Sequence, residues 1–159
     1  MKVRDIMTRD VLTARFDTPV YAVARLMHER HLSGIPVVGE TGHLVGIVTE
    51  LDLIVRNTRF EPPAFFQILD GRIPLESPAH YRKRLRHMLG TQAADVMTEK
   101  VVTIGPDAVI EDLAALLIER RVNPVPVMEG DLLVGIVSRF DIVRMMAADV
   151  GDDADDPSA

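Results

Sequence analysis

The chain has 159 residues, 47% hydrophobic and 4% aromatic, with 18 Lys and Arg against 24 Asp and Glu for a net charge of -6, and no cysteine. That length supports one domain or two small units sharing a core. The acidic balance argues against general nucleic-acid binding, which needs a basic footprint; the missing cysteines exclude disulfides, thiolate metal sites and cysteine nucleophiles. Met1–Ile6 has no apolar signal core, and no apolar run approaches the ~20 residues of a membrane span. The sequence therefore predicts a soluble, acidic, cytoplasmic protein.

The chain repeats itself. Residues 5–38 align with 95–128 at a shift of 90, with twelve identities that include Asp5, Met7, Thr8, Val11, Thr13, Pro36 and Val37. Residues 44–54 then align with 133–143 at a shift of 89, with six more: Leu44, Val45, Gly46, Ile47, Val48 and Asp52. Eighteen identities over 45 aligned positions mark a duplicated unit.

Each unit parses alike. After a short segment at Arg4–Met7, Val11–Ala14 is β-branched and reads as a strand. Asp17-Thr18-Pro19 reads as a helix start, an N-cap residue with Pro19 at the first helical position. Val20, Val23, Ala24 and Met27 form the apolar stripe of a helix, repeated as Ile110, Leu113, Ala114 and Leu117. Ser33-Gly34-Ile35-Pro36 breaks the chain before a strand beginning at Val37-Val38. Gly39–Gly42 is turn chemistry, Leu44–Thr49 the third strand, and Glu50 opens a second helix. The unit is β-α-β-β-α, predicted over 1–56 and again over 94–148. The insert at 57–93 holds Phe60, Phe65 and Phe66, expected to fold back on the units, and a basic helix from Ser77-Pro78 to Gly90. The acidic end, 149–159, is expected to be disordered.

Two constellations could carry chemistry. Thr49-Glu50-Leu51-Asp52 and Ser138-Arg139-Phe140-Asp141 follow the third strands. S/T-x-x-D before an apolar run is a helix cap, but the same turn offers a helix N-terminus for phosphate and a carboxylate for ribose hydroxyls. Arg139 suits phosphate and Glu50 repels it, so two such sites would be unequal. Ser33–Pro36 and Asn123-Pro124-Val125-Pro126 are either plain connections or places where backbone groups meet an adenine edge, with Ile35 or Val125 against its face. The histidines show no ligand spacing for a metal, and no nucleophile–base arrangement appears, so no catalysis is expected.

Asp5-Ile6-Met7-Thr8, Ile35-Pro36-Val37-Val38 and Leu44–Asp52, each motif occurring twice in order, resemble cystathionine-β-synthase (CBS) domains paired as a Bateman module of the bacterial stand-alone type. The resemblance implies a mixed α/β fold of the α+β type: two pseudo-symmetric β-α-β-β-α units packed sheet to sheet, with a helical insert. It also implies clefts for an adenosine compound (AMP, ADP, ATP or S-adenosylmethionine), a homodimer, and an unidentified regulated protein. The ligand-binding residues it implies are Thr13, Ile35, Pro36, Thr49 and Asp52, with Thr103, Asn123, Val125, Pro126, Ser138, Arg139 and Asp141. The alternative is an interaction module without a small-molecule ligand, in which the S/T-x-x-D turns serve only as caps.

Overall fold

The structure is a computed structural model describing residues 1–56, 65–68, 71–74, 77–82 and 90–152. A one-turn helix α1 (Val3–Ile6) precedes β1 (Ala14–Arg15), α2 (Val20–Arg30), β2 (Gly34–Val38), β3 (Leu44–Thr49) and α3 (Glu50–Arg56). Between the units, β4 (Phe65–Ile68) pairs antiparallel with β5 (Gly71–Pro74). The second unit runs α4 (Ala93–Val96), α5 (Ile110–Glu119), β6 (Val125–Glu129), β7 (Leu132–Val137) and α6 (Arg139–Asp152). In the first unit β1 lies parallel to β2 and β2 antiparallel to β3. In the second, β6 and β7 pair antiparallel, and Ile104 bridges to Val127 in the place of β1. The mixed α/β fold of two pseudo-symmetric units is as the sequence implies.

The helices form because their apolar positions recur on one side. Val20, Val23 and Met27 of α2 are buried in one core, and Ile110, Leu113 and Leu117 of α5 in the other. Three boundaries differ from expectation. β1 is shorter and later than Val11–Ala14, and α2 begins one residue later than expected, with Pro19 at its cap rather than at its first helical position. β2 begins at Gly34 rather than Val37, with Ile35 and Pro36 inside the strand. A proline is tolerated there because its partner in register, Ile47, spends both backbone groups on Thr98 (2.8 and 3.0 Å) and asks nothing of Pro36.

In the insert, Ser77 caps a helical turn by accepting from the His80 N–H (3.2 Å). The remainder of the expected basic helix, and the packing of Phe60, Phe65 and Phe66, lie outside the described residues. The β4–β5 pair was not foreseen. At the far end α6 continues through Asp152, four residues into the expected tail, carried by Ala147 and Ala148, strong helix formers; 153–159 lie outside the described residues.

The units are joined by exchange. The Val3 and Arg4 N–H groups donate to the Ala108 and Pro106 carbonyls of the second unit (2.9 and 3.0 Å), and Val3 is fully buried in the second core. Reciprocally, the Ala93 and Ala94 N–H groups donate to the Thr18 and Phe16 carbonyls (2.8 and 2.9 Å), and Ala93 and Val96 are buried in the first core. Each short helix thus packs on the unit it does not precede. The exchange continues into the sheets, where Thr8 trades two backbone hydrogen bonds with Ile136 (2.9 Å each), as Thr98 does with Ile47. Gly46 and Gly135 sit under these crossings. A Cβ on Gly135 would lie 2.5 Å from the Met7 sulfur, and one on Gly46 2.8 Å from Met97 Cγ.

Gly46→Ala should therefore cost about 1–3 kcal/mol through overpacking. Combined with Met97→Ala, which vacates the space, the loss should be clearly less than the sum of the two single losses in chemical denaturation. Additive losses would mean that the methionine does not occupy the glycine's space.

Lys2 (2.8 Å) and Arg4 both pair with Asp107, fastening α1 to the second unit. The hydrogen bond from Lys2, aided by the charges of Arg4 and Lys2 against a desolvation that opposes them, holds the Asp107 carboxyl below its ordinary 3.8. A depressed carboxyl stabilises the fold above its unfolded pKa, and that contribution is lost as pH falls through the folded value. The wild type should therefore exceed Asp107→Asn in melting temperature at pH 6, and the gap should close below pH 3.8.

Candidate ligand clefts

Each S/T-x-x-D turn closes on itself. The Asp52 Oδ2 accepts from the Thr49 N–H (2.8 Å) and hydroxyl (2.9 Å), and the Asp141 Oδ2 from the Ser138 N–H (2.7 Å) and hydroxyl (2.8 Å). The other oxygens differ. Asp52 Oδ1 accepts from the Thr98 hydroxyl at 3.3 Å, whereas Asp141 Oδ1 is held by Arg144 at 2.7 Å. Arg144 also donates to the Ile6 carbonyl (3.3 Å), so it ties the exchanged α1 to the second unit's turn. Asp141 is 7% exposed, the one buried charged residue among those described. An ionised carboxylate offers about four acceptor sites; each Asp therefore keeps roughly one for a ligand.

Both carboxylates line clefts between the units. The larger cleft, about 690 Å³, joins Ser138, Arg139 and Asp141 to Asp10, Val11 and Leu12 of the first unit. Ser33-Gly34 and Asn123-Pro124 form its base. The smaller, about 170 Å³, joins Thr49 and Asp52 to Thr98, Lys100, Val101 and Val102 of the second unit, again with Asn123-Pro124. Every cleft thus combines one unit's S/T-x-x-D turn with the other unit's exchanged segment. Only the larger falls in the ~300–1,000 Å³ range of small-molecule sites.

The expected site residues divide accordingly. Thr49 and Asp52 come together in one cleft, and Ser138, Arg139 and Asp141 in the other. Asn123 lines both, with its side-chain oxygen accepting from the Arg139 N–H (2.9 Å). The expectation for Ile35 and Val125 is corrected: they are fully buried in the two cores, not on a cleft wall, because the strands begin two or three residues earlier than read. Pro36 and Pro126 are buried with them. Thr13 faces a separate shallow hollow beside α2, and Thr103 lines neither cleft. Glu50 is also corrected: it lines the larger cleft with Arg139, not the one holding Thr49. The walls at Thr8, Asp10–Leu12, Thr98 and Lys100–Val102 were missed. Their signal was the repeated Asp-x-Met-Thr motif, whose crossing to the opposite unit no periodicity reveals.

The fold and clefts define a tandem-repeat module whose two units share both sites. The sequence model of the CBS domain matches residues 3–56 and 93–148, and the chain belongs to the CBS domain family, carrying two such domains. It is 29% identical over 156 residues to the uncharacterized protein MJ1426 of Methanocaldococcus jannaschii, covering 92% of this chain and 91% of that one. To the uncharacterized protein YlbB of Bacillus subtilis it is 30% identical, covering 89% and 79%. Among solved structures, CBSX2 in complex with AMP superimposes with a TM-score of 0.75 at 25% identity, covering 92% of this chain and 97% of that one.

Proposed function

We propose that the chain is a non-catalytic regulatory module that binds an adenosine compound in the larger cleft and passes its occupancy to a partner protein. The observation that carries this is a cleft of ligand size, about 690 Å³, built jointly by both units around one pre-oriented carboxylate. Asp141 and Ser138 supply acceptors and a hydroxyl for ribose, and Val11, Leu12, Pro124 and Phe140 an apolar bed for a base. The AMP complex of CBSX2 supports the same class of ligand. A ligand there touches both units at once, so it strengthens their mutual contact, which is what a sensor needs. Among the described residues no helix is long and apolar enough to cross a membrane.

One observation favours the alternative of an interaction module: both carboxylates already serve as caps. A thermal shift decides between them. At a hundred times its Kd, a ligand specific for the native state adds about 2.7 kcal/mol and raises the melting temperature. Asp141→Asn should then weaken binding by about tenfold, and more than Asp52→Asn, because its cleft alone has ligand size. No shift with AMP, ADP, ATP or S-adenosylmethionine leaves the capping role standing.

The module should also dimerise. Phe140, Val143 and Met146 form an exposed stripe on α6, and Leu51 and Ile54 another on α3, more apolar surface than a soluble monomer usually shows. A twofold dimer through these helices buries both stripes. Light scattering should give twice the monomer mass, and Met146→Glu should return it to the monomer value by placing a charge in the interface. A monomeric wild type at micromolar concentration excludes the assembly.

A further inference from the structure

The two clefts carry opposite charge. Around the larger stand the carboxylates of Asp10 and Glu50 against the guanidinium of Arg139, with the imidazole of His31 also in its lining, while Asp141 is matched by Arg144 at 2.7 Å. Around the smaller stand Lys100 and Arg121 against Asp52. The reversal sits at repeat-equivalent positions, Asp10 facing one cleft where Lys100 faces the other. Among the described residues neither Asp10 nor Glu50 takes part in an ion pair, and both are exposed, so their charge is presented to whatever enters.

Two of the backbone donors at the start of α6 are already taken, which leaves fewer to offset the deficit. A phosphate at a helix N-terminus needs free N–H groups. At α6 the Ser138 N–H is taken by Asp141 (2.7 Å) and the Arg139 N–H by Asn123 (2.9 Å). Val11, Leu12 and Phe140 give the cleft apolar walls, which strengthen the repulsion between its carboxylates and an anion.

We propose that the larger cleft selects its adenosine ligand by the charge at the 5′ position, with Asp10 and Glu50 as the specificity-determining residues. Affinity falls as phosphates are added, and an uncharged thioether or a cationic sulfonium at that position binds best. The proposal rests on the reading of this cleft as an adenosine site, and the experiment separates the two.

Calorimetric titration of the full chain at pH 8 would use S-adenosylmethionine, 5′-methylthioadenosine, AMP and ATP. The first two should bind at least about tenfold more tightly than ATP, with AMP between. In Asp10→Asn/Glu50→Gln, ATP should gain about tenfold while 5′-methylthioadenosine changes by less than about twofold. Raising the salt should narrow the wild-type gap in the same direction. Leu12→Trp, which fills the larger cleft, should remove the 5′-methylthioadenosine signal while the melting temperature shows the fold intact. ATP binding as tightly as the thioether, or a ratio unmoved by the double variant, would each overturn the charge selection and leave the adenosine reading intact; a signal that survives Leu12→Trp would overturn the reading of this cleft as the adenosine site, and the selection with it. Failure of all four compounds to bind overturns the adenosine reading itself, and the selection with it.

Discussion

Thr8 and Ile136 hold each other by two backbone hydrogen bonds, and Thr98 and Ile47 do the same across the other crossing. Without these reciprocal crossings there would be two small units, each with an uncovered core. Each unit offers only a two- or three-stranded sheet and two helices, which is little surface for burial at this size. The exchanged helices supply what is missing: Val3 closes one core, and Ala93 and Val96 the other. The cost is steric, since a crossing segment must lie directly on the third strand. Gly46 and Gly135 answer it by leaving room for Met97 and Met7. The repeated sequence motifs are therefore two halves of one contact, methionine from one unit and glycine from the other.

The same crossings make the clefts. Because residues 8–12 leave α1 against the second unit and return to the first, they pass the Ser138 turn, and residues 98–102 pass the Thr49 turn. Neither cleft exists in an isolated unit. That is why a ligand there is coupled to the relation between units rather than to either one. Asn123 and Pro124 extend this coupling, since they line both clefts and Pro124 abuts Gly34. Their repeat partners, Ser33 and Gly34, line only the larger cleft.

Much of this was legible in the sequence, and the losses have particular causes. The β-α-β-β-α order, the stripes of α2 and α5, and the bounds of β3 followed from periodicity and turn residues. Pro36 and Pro126 misplaced the second strands, because a proline in a central strand reads as a break. It is permitted here only by a contact from another part of the chain: the Ile47 and Ile136 backbone groups turn away to Thr98 and Thr8. The two Asp residues and their hydroxyl partners were found because S/T-x-x-D is a local pattern. The opposite walls were not, because they depend on exchange, and a local pattern carries no record of which unit a segment packs against. Glu50 was assigned to the wrong cleft for the same reason.

The duplication also shows how two equivalent turns become unequal by single changes. Arg144 stands where the first unit has Val55, and it takes the Asp141 oxygen that the Thr49 site leaves to a long bond from Thr98. Asn123 stands where the first unit has Ser33, and its side chain receives the Arg139 N–H as the Ser33 carbonyl receives that of Glu50 (3.1 Å). Capping by itself therefore does not exclude binding at these turns. A carboxylate held by its own cap has lost its rotamer freedom before any ligand arrives, and a group already fixed forfeits less entropy on binding. The cap that stabilises each helix also fixes the orientation of a carboxylate that lines a cleft. Around these turns the two clefts diverge in charge, with Asp10 and Glu50 lining the larger and Lys100 and Arg121 the smaller.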